Sequence, residues 1–306
     1  MEPIEAEIVP PGEVTQEQSP SRLSLGSIGG LKIRKPQDKL PYLNMMIYGD
    51  SGAGKTLLSA KAAFVPELFP VLFIDVEGGT HTISHFEDTS DIDIVPDPES
   101  ERTLRWGDIQ KIYNDLYNGR HPYKTVVTDS LTEMQKLAMN TILGSGSKME
   151  IDAIGNLPEF KDWHINTEQM RRMVRAFRDL PMNTIFTALA DDIVDPRTAK
   201  SENPRIIKVP SFTKRLRQEI PAFFDMVFYL YSKQRGSQNI RYIQTDKDNN
   251  VVAKCRVHGV PMTIENPDME VLYDMLVRNP AKPGEEISLG TTEAGGMKRK
   301  TMARKS

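Results

Sequence analysis

The chain has 306 residues, of which 39% are hydrophobic, and a net charge of −3. This length supports one sizeable core with tails and leaves little room for two full domains, while the charge gives no chain-wide signature of nucleic-acid binding. The single cysteine, Cys255, excludes an internal disulfide framework and a cysteine-rich zinc site, and no apolar run approaches the roughly 18 residues of a membrane helix.

The N-terminal region lacks the basic and apolar segments of a signal peptide, so we predict a cytoplasmic protein without membrane contact. Residues 1–38 contain several prolines and little apolar periodicity, which predicts a disordered arm. From residue 39 to residue 279, apolar strand patterns alternate with helical patterns. Such alternation predicts an α/β core with a mainly parallel sheet and helices on both of its faces.

The first strand of this core leads into the sequence GDSGAGKT, and a helical pattern follows. Gly-x-x-x-x-Gly-Lys-Thr in this context predicts a loop whose backbone N–H groups surround phosphate at the start of a helix. Lys55 is predicted to reach the β- and γ-phosphates, and Thr56 to place its hydroxyl on Mg²⁺. The predicted nucleotide-binding residues are Gly49, Asp50, Ser51, Gly52, Ala53, Gly54, Lys55 and Thr56. These residues leave ATP and GTP both open.

Two later strands end in carboxylates. VLFIDVE ends at Glu77, and TVVTDS carries Asp129 followed by Ser130. Asp129 suits the Walker B position, which holds Mg²⁺ through water. Hydrolysis also needs a second group that orients the attacking water. ATPases of the AAA+ type usually carry their catalytic glutamate at the next position, which here is Ser130. Glu77 is therefore the candidate base, and Asp75, on the same strand face, is its rival.

Helices are predicted near residues 104–117, over 131–142 and around 166–180, followed by the buried strand NTIFTALA. Residues 191–218 are polar and basic, which predicts a long loop that is either disordered or binds single-stranded DNA. Phe212 lies among these cations, and an aromatic ring in such a loop can stack on a base. The candidate DNA-binding residues are Arg205, Lys208, Phe212, Lys214, Arg215 and Arg217.

The segments FDMVFYLY, NIRYIQTD and VVAKCRV predict antiparallel strands at the C-terminal side of the core. Lys254 and Arg256 share one strand face. One interpretation is that this strand lies at an exposed edge of the sheet, where lysine and arginine discourage aggregation. A helix over MEVLYDMLV closes the core, and residues 280–306 are predicted to form a disordered tail with a basic end.

The strands FIDVE and VVTDS, together with the phosphate-binding sequence, resemble those of RecA-like ATPases. This resemblance implies a RecA-like P-loop NTPase core, ATP and Mg²⁺ as ligands, Glu77 as the residue that orients water, and Ser130 beside the γ-phosphate. Lys254 and Arg256 look like the Lys-x-Arg element of that family, which reaches a nucleotide bound to the neighbouring subunit. The resemblance therefore implies a homo-oligomer with nucleotide at the subunit interfaces.

In size and order the chain is most similar to small phage nucleotide-binding proteins built from a RecA core alone, some of which anneal DNA. This implies a DNA-stimulated ATPase that acts on single-stranded DNA in recombination or annealing in a host-cell cytoplasm. A single-strand-binding protein or another replication or recombination protein is a further possible partner. The alternatives are an ATP-driven motor or helicase-loading factor, and a nucleotide-gated binding module with negligible turnover. One region departs from RecA, because Leu189, Ala190 and Asp191 stand where RecA has its nucleotide-sensing glutamine.

Overall fold

A computed structural model describes residues 27–33, 42–84, 92–97, 104–144, 157–282, 284–294 and 297–305. The chain divides between Lys39 and Leu40 into two units. In the first unit, β1 (Ser27–Ile28) and β2 (Leu31–Lys32) pair as a short antiparallel hairpin. The rest of the predicted disordered arm, residues 1–26 and 34–38, lies outside the described residues.

The second unit is an α/β domain built on one large sheet. Its strands are β3 (Asn44–Gly49), β4 (Val71–Asp75), β5 (Ile92–Val95), β6 (Thr125–Asp129), β7 (Asn183–Val194), β8 (Ile206–Pro210), β9 (Met226–Arg235), β10 (Gln238–Gln244), β11 (Lys254–Cys255) and β12 (Thr263–Glu265). A separate hairpin follows, with strands β13 (Glu286–Ala294) and β14 (Met297–Lys305). The helices are α1 (Lys55–Ala60), α2 (Trp106–Tyr117), α3 (Leu131–Ile142), α4 (Phe160–Arg178), α5 (Lys214–Phe223) and α6 (Met269–Tyr273). Short 3₁₀ turns lie at Lys61–Phe64 and Thr80–Thr82, and a π-helical turn, Asp274–Arg278, extends α6.

The strands are ordered β12, β10, β9, β3, β7, β6, β4 and β5 across the sheet, with β11 beside β9 and β8 beside β7. All neighbours from β9 to β5 run parallel, whereas β8, β10, β11 and β12 form antiparallel pairs. The predicted fold class, a mainly parallel α/β sheet with antiparallel C-terminal strands, is confirmed. Because the parallel strands all end at one edge, the residues that follow them are brought together there.

Both faces of this sheet are covered. In β3, Met45 and Ile47 pack into a cluster with residues of α1 and α6, whereas Met46 and Tyr48 pack on the opposite side with α2 to α5. The alternation follows from the two-residue period of a strand. A strand buried on both faces needs apolar side chains along its whole length, and this explains the continuous apolar run in the sequence.

The longest described helix, α4, follows simple sequence rules. Glu159 and Asp162 form a reciprocal capping arrangement at its N-terminus. Met170, Val174 and Phe177 recur at helical spacing and are fully buried, and burial of each such side chain contributes about 1.5–3 kcal/mol. None of the described helices has the length and apolar character needed to cross a bilayer.

The segment at residues 191–218 differs from the predicted long loop. There β7 continues to Val194, β8 pairs antiparallel with its end, and α5 follows. The polar side chains satisfy one another inside this hairpin, because Asp195 accepts hydrogen bonds from Arg197 and Arg205. Polar composition therefore reflects internal ion pairs here, and it does not mark a structureless loop.

The C-terminal segment also differs from the predicted disordered tail. Of the predicted tail, residues 286–294 and 297–305 form the β13–β14 hairpin. Ile287 is buried in the same cluster as α6, and its N–H donates to the carbonyl oxygen of Gly259 at 2.8 Å. A single buried isoleucine in an otherwise polar segment produces no periodic apolar signal, so the sequence does not predict that this segment packs on the core.

Candidate functional site

The phosphate loop, residues 49–56, joins the end of β3 to the start of α1. The N–H of Ala53 donates to the carbonyl oxygen of Asp50 at 3.2 Å and closes a tight turn. The helix begins at Lys55, so its unpaired N–H groups face the loop. The predicted strand, loop and helix are therefore all present in the predicted order.

Two glycines allow other strands to approach this loop closely. A Cβ atom on Gly49 would lie 2.1 Å from the carbonyl oxygen of Leu230 in β9. Gly54 has a φ of +101°, and a Cβ atom there would lie 2.7 Å from Nε of Arg241 in β10. Both glycines are thus required by the packing around the loop as well as by its conformation.

Lys55 is buried, with 6% of its surface exposed, and its ammonium group donates to the carbonyl oxygens of Gly49 and Asp50, both at 3.0 Å. Burial lowers the pKa of Lys55, and the negative charges of Glu77 and Asp129 oppose this. Among the described residues, no carboxylate forms an ion pair with Lys55. A buried cation held by carbonyl oxygens fits a site that receives the negative charge of a phosphate group.

Asp129 lies at the end of β6 with 1% of its surface exposed. Its carboxylate accepts a hydrogen bond from the hydroxyl of Thr56 at 2.6 Å and another from Thr187 in β7. Burial raises the pKa of Asp129, and the hydrogen bonds from Thr187 and Thr56 oppose the rise. The predicted Thr56 and Asp129 are therefore in direct contact, although 73 residues separate them in the sequence.

This pair has the donors that Mg²⁺ requires. Mg²⁺ in nucleotide sites is usually held by one or two protein oxygens together with phosphate oxygens and water. The Thr56 hydroxyl and the Asp129 carboxylate are hard oxygen ligands, and they are adjacent at the end of the phosphate loop. They are the residues that would hold the metal.

Of the two rival carboxylates after β4, Asp75 is engaged in structure. It accepts hydrogen bonds from the N–H groups of Gly78, Gly79 and Thr80 and from the Thr80 hydroxyl. Glu77 is exposed, and its backbone N–H donates to the carbonyl oxygen of Asp129 at 3.1 Å. Asp75 holds the turn, and this leaves Glu77 at the site with its carboxylate accessible to water.

Ser130, also predicted at this site, is fully buried and caps α3. Its hydroxyl accepts a hydrogen bond from the N–H of Glu133 at 3.4 Å. The side chain thereby fixes the start of the helix that follows Asp129.

Lys254 and Arg256 lie towards the end of the sheet where β3 begins, whereas the phosphate loop follows the other end of β3. Lys254 pairs with Val227 at the start of β9, which is level with Met46 in β3. Lys254 donates to the carbonyl oxygen of Pro221 at 3.0 Å, and Arg256 donates to Asp225 at 2.6 Å. Both cations therefore bond to groups outside the phosphate loop of their own chain.

The candidate DNA-binding residues fall into three groups. Phe212 has 4% of its surface exposed and packs in the core, so its ring is not available to stack on a base. Lys214 and Arg215 are exposed at the start of α5, and Arg215 also pairs with Glu219. The others form ion pairs: Arg205 with Asp195, Lys208 with Asp192 and Asp50, and Arg217 with Asp191.

Thr187 is the site residue that the sequence analysis missed. It is fully buried in β7, the strand that lies between the phosphate-loop strand β3 and β6. A hydroxyl in a strand buried on both faces needs a polar partner. Thr187 lies within the apolar run NTIFTALA, and this was the sequence feature that indicated a hydrogen-bonded threonine. The partner, Asp129, could be identified only from the strand order.

Of three comparisons with known proteins, the one with a family model covers the residues of this site. No curated protein matches the sequence. Among solved structures, the chain is similar to a KaiC-like protein from the hyperthermophilic archaeon Pyrococcus horikoshii OT3, with 15% sequence identity, a TM-score of 0.36, and coverage of 67% of this chain and 78% of that chain. The model of the AAA domain family AAA_24 matches residues 42–257, which include the phosphate loop, Glu77 and Asp129. This chain is a P-loop NTPase that belongs to the AAA domain family AAA_24.

Proposed function

We propose that the chain is a Mg²⁺-dependent ATPase in which Glu77 orients the attacking water. The observation that carries the proposal is the convergence of three strand ends. The phosphate loop follows β3, Asp129 ends β6 and bonds to Thr56, and Glu77 follows β4 beside the backbone of Asp129. A buried lysine, a metal-binding oxygen pair and an accessible carboxylate are the groups that phosphoryl transfer to water requires.

Each residue has a separate task in this reaction. Thr56 and Asp129 would hold Mg²⁺, which when bound would supply positive charge against the charge that develops on the phosphate oxygens. Lys55 supplies positive charge from within the loop, and Thr56 and Asp129 are positioned by their mutual hydrogen bond. Glu77 accepts a hydrogen bond from the water and takes its proton, as its exposed position permits.

We further propose that Lys254 and Arg256 act on the nucleotide of a neighbouring subunit. This is supported by their contacts, because Lys254 bonds to Pro221 and Arg256 to Asp225, both outside the phosphate loop of their own chain. In a head-to-tail assembly, the surface of one subunit that carries Lys254 and Arg256 meets the surface of the next subunit that carries the phosphate loop. Cations supplied in this way stabilise transition-state charge and accelerate hydrolysis by roughly 10³ to 10⁵.

We propose single-stranded DNA as the substrate of this ATPase, acting in recombination or strand annealing. The support is a local basic surface on a chain whose net charge is −3. α4 and α5 together contain eight lysine and arginine residues. Five of them pair with carboxylates, whereas Lys161, Arg175 and Lys214 form no ion pair among the described residues. The helices are joined by the ion pair of Arg171 with Glu219, so unpaired cations of both helices can contribute to a surface that neutralises phosphates.

Two aromatic rings open to solvent lie at the start of α4, where Lys161 is their neighbour in the sequence. Phe160 is 90% exposed and Trp163 is 41% exposed, both in the first turn of α4. Exposed rings beside cations are the arrangement on which unpaired bases stack, with about 1–3 kcal/mol per base. These two residues replace the buried Phe212 as the candidates for base contact.

The ATPase proposal is tested by the hydrolysis rate of the wild type and of Lys55→Ala, with and without oligo-dT. We expect hydrolysis that is stimulated by oligo-dT and lost in the variant. A wild-type rate equal to that of Lys55→Ala would contradict the ATPase assignment. Hydrolysis that is indifferent to oligo-dT would contradict the DNA role and indicate a protein activator.

The DNA surface is tested by the fluorescence anisotropy of labelled oligo-dT. Phe160→Ala and Trp163→Ala are each expected to weaken binding by about tenfold, since 1.4 kcal/mol is a factor of ten. Tyr117→Ala is the matched control, because Tyr117 is a 63% exposed aromatic on α2. Equal affinities for all three variants and the wild type would contradict base stacking at α4.

A further inference from the structure

The strand order sets the direction in which a nucleotide lies on the phosphate loop. Asp129 and Glu77 follow β6 and β4, which are on one side of β3, whereas β9, β10 and β12 are on the other side. A triphosphate is a linear chain, so a γ-phosphate directed towards Asp129 and Glu77 places the nucleoside at the opposite end. The nucleoside of a nucleotide bound as proposed above therefore extends towards β9, β10 and β12.

A cleft opens at that position. It is bordered by the phosphate loop and α1 on one side, and by β10 and the turn after β12 on the other. The lining residues that matter here are Gly54, Leu57, Lys61, Arg241, Asn266 and Pro267. The cleft begins at the last glycine of the loop, so a ligand that leaves the loop on this side enters it directly.

Arg241 places a positive charge at the entrance to this cleft. Its guanidinium lies against Gly54, with Nε 2.7 Å from the position of a Cβ atom on that glycine. Among the described residues, none forms a hydrogen bond or an ion pair with this side chain, although Arg235 on the same hairpin bonds to Tyr242 and Glu265. All five N–H donors of Arg241 are thus free to contact a ligand beside the phosphate loop.

The opposite wall is fixed in place and offers both polar and apolar contacts. Asn266 has a φ of +44°, and its N–H donates to the carbonyl oxygen of Arg241 at 2.6 Å. The neighbouring Pro267 is buried, and Leu57 is half-buried on α1. The Asn266 amide can both donate and accept, while apolar side chains on two sides suit the flat face of a base.

We infer that this cleft is the nucleoside subsite of the phosphate loop and that Arg241, from the same chain, contacts the base and ribose of the bound nucleotide. The ligand class is a nucleoside di- or triphosphate. A guanidinium is planar and stacks on aromatic rings, so Arg241 stabilises the base of the nucleotide. This inference rests on the proposed nucleotide site and adds the residues that hold the nucleoside.

Calorimetric binding of ATP, ADP and inorganic tripolyphosphate separates the nucleoside contact from the phosphate contact. Arg241→Ala should weaken ATP and ADP binding by about tenfold and leave the tripolyphosphate affinity unchanged. Arg235→Ala is the matched control on the same hairpin, and it should bind all three ligands as the wild type does. Unfolding temperatures measured on the same samples show that the variants are folded.

The possible results distinguish this inference from the proposed function. An unchanged ATP affinity in Arg241→Ala would overturn the subsite, and so would an equal loss for ATP and tripolyphosphate, because Arg241 would then act on phosphate alone. If the wild type binds ATP and tripolyphosphate and Lys55→Ala binds neither, the phosphate site stands whatever Arg241 does. A wild type that binds neither ligand would overturn both proposals.

Discussion

The hydroxyl of Thr187 donates a hydrogen bond to the carboxylate of Asp129 from the adjacent strand of the sheet. Thr56 donates to the other carboxylate oxygen, so Asp129 is held from both sides. A buried carboxylate without such partners would lose several kcal/mol of solvation. Thr187 is therefore a positioning residue: its hydrogen bond orients Asp129 and opposes the rise of its pKa by burial, and Asp129 in turn contacts Thr56 of the phosphate loop.

Replacing Thr187 with valine, which has the same shape, should lower ATP turnover by about ten- to hundredfold. A hydrogen bond to a charged group contributes about 1.5–3 kcal/mol, and each 1.4 kcal/mol of transition-state stabilisation is a factor of ten. Thr187→Ser keeps the hydroxyl and should restore most of the turnover. The measurement is steady-state hydrolysis at saturating ATP and Mg²⁺.

The control for this prediction is Thr184→Val on the same strand. Thr184 is equally buried, and its hydroxyl donates to Asn44 at 3.1 Å, away from the site. This variant should lower the unfolding temperature without changing turnover. If Thr187→Val and Thr184→Val reduce turnover equally, the effect of Thr187 is only structural.

The two carboxylates after β4 should give opposite results. Glu77→Gln removes the proposed base from an exposed position, so turnover should fall by about 10² to 10⁴ while the unfolding temperature stays the same. Asp75→Asn weakens the hydrogen bonds that hold Gly78 and Thr80, so it should lower the unfolding temperature and reduce turnover far less. Turnover and thermal unfolding of both variants would be measured in parallel. A folded Asp75→Asn variant without turnover would identify Asp75 as the base.

The phosphate loop could be predicted from the sequence because its eight residues are contiguous and its spacing is determined by phosphate geometry. Asp129 could be predicted because a run of apolar residues indicated the strand that carries it. Thr187 could not be paired with Asp129, because their contact depends on β7 lying next to β6 in the sheet. Strand order depends on the packing of the whole domain, which local patterns do not reveal.

The segment that contains Phe212 illustrates a different limit. Phe212, Leu216 and Ile220 are spaced by four residues and are all buried, so the signal for one apolar helix face was present. The same segment, residues 191–218, contains seven cations, and this polar composition predicted a long loop that is either disordered or binds DNA. In the structure, Arg205, Lys208 and Arg217 are neutralised by carboxylates that the same segment contains.

Mixing two inactive variants tests whether the catalytic site is shared between subunits. Lys55→Ala lacks a working phosphate loop, and Arg256→Ala lacks the cation proposed to act on the neighbour. In an equal mixture, about one quarter of the interfaces would combine an intact loop with an intact Arg256, so activity should reappear at about that level. Hydrolysis is measured after the mixed subunits have exchanged.

The control mixture combines Lys55→Ala with Glu77→Gln. Both of these residues act on the nucleotide of their own chain, so no interface in that mixture contains an intact site and activity should stay at background. Recovery in the control, or no recovery in the mixture with Arg256→Ala, would contradict the proposed division of the site between subunits.

Asp129→Asn should make the nucleotide-free protein more stable while it abolishes hydrolysis. Burial raises the pKa of Asp129, so the folded state has a penalty for the charged carboxylate that the unfolded chain does not have. This penalty is absent below the ordinary aspartate pKa of about 3.9, grows as the pH rises above it, and is complete above the raised pKa of the folded state. The variant should therefore unfold at a higher temperature than the wild type at pH 7, by roughly 2–4 °C for each 1 kcal/mol recovered. The difference should diminish as the pH approaches 4, and a variant that is less stable than the wild type at pH 7 would mean that the hydrogen bonds from Thr56 and Thr187 outweigh the cost of burial.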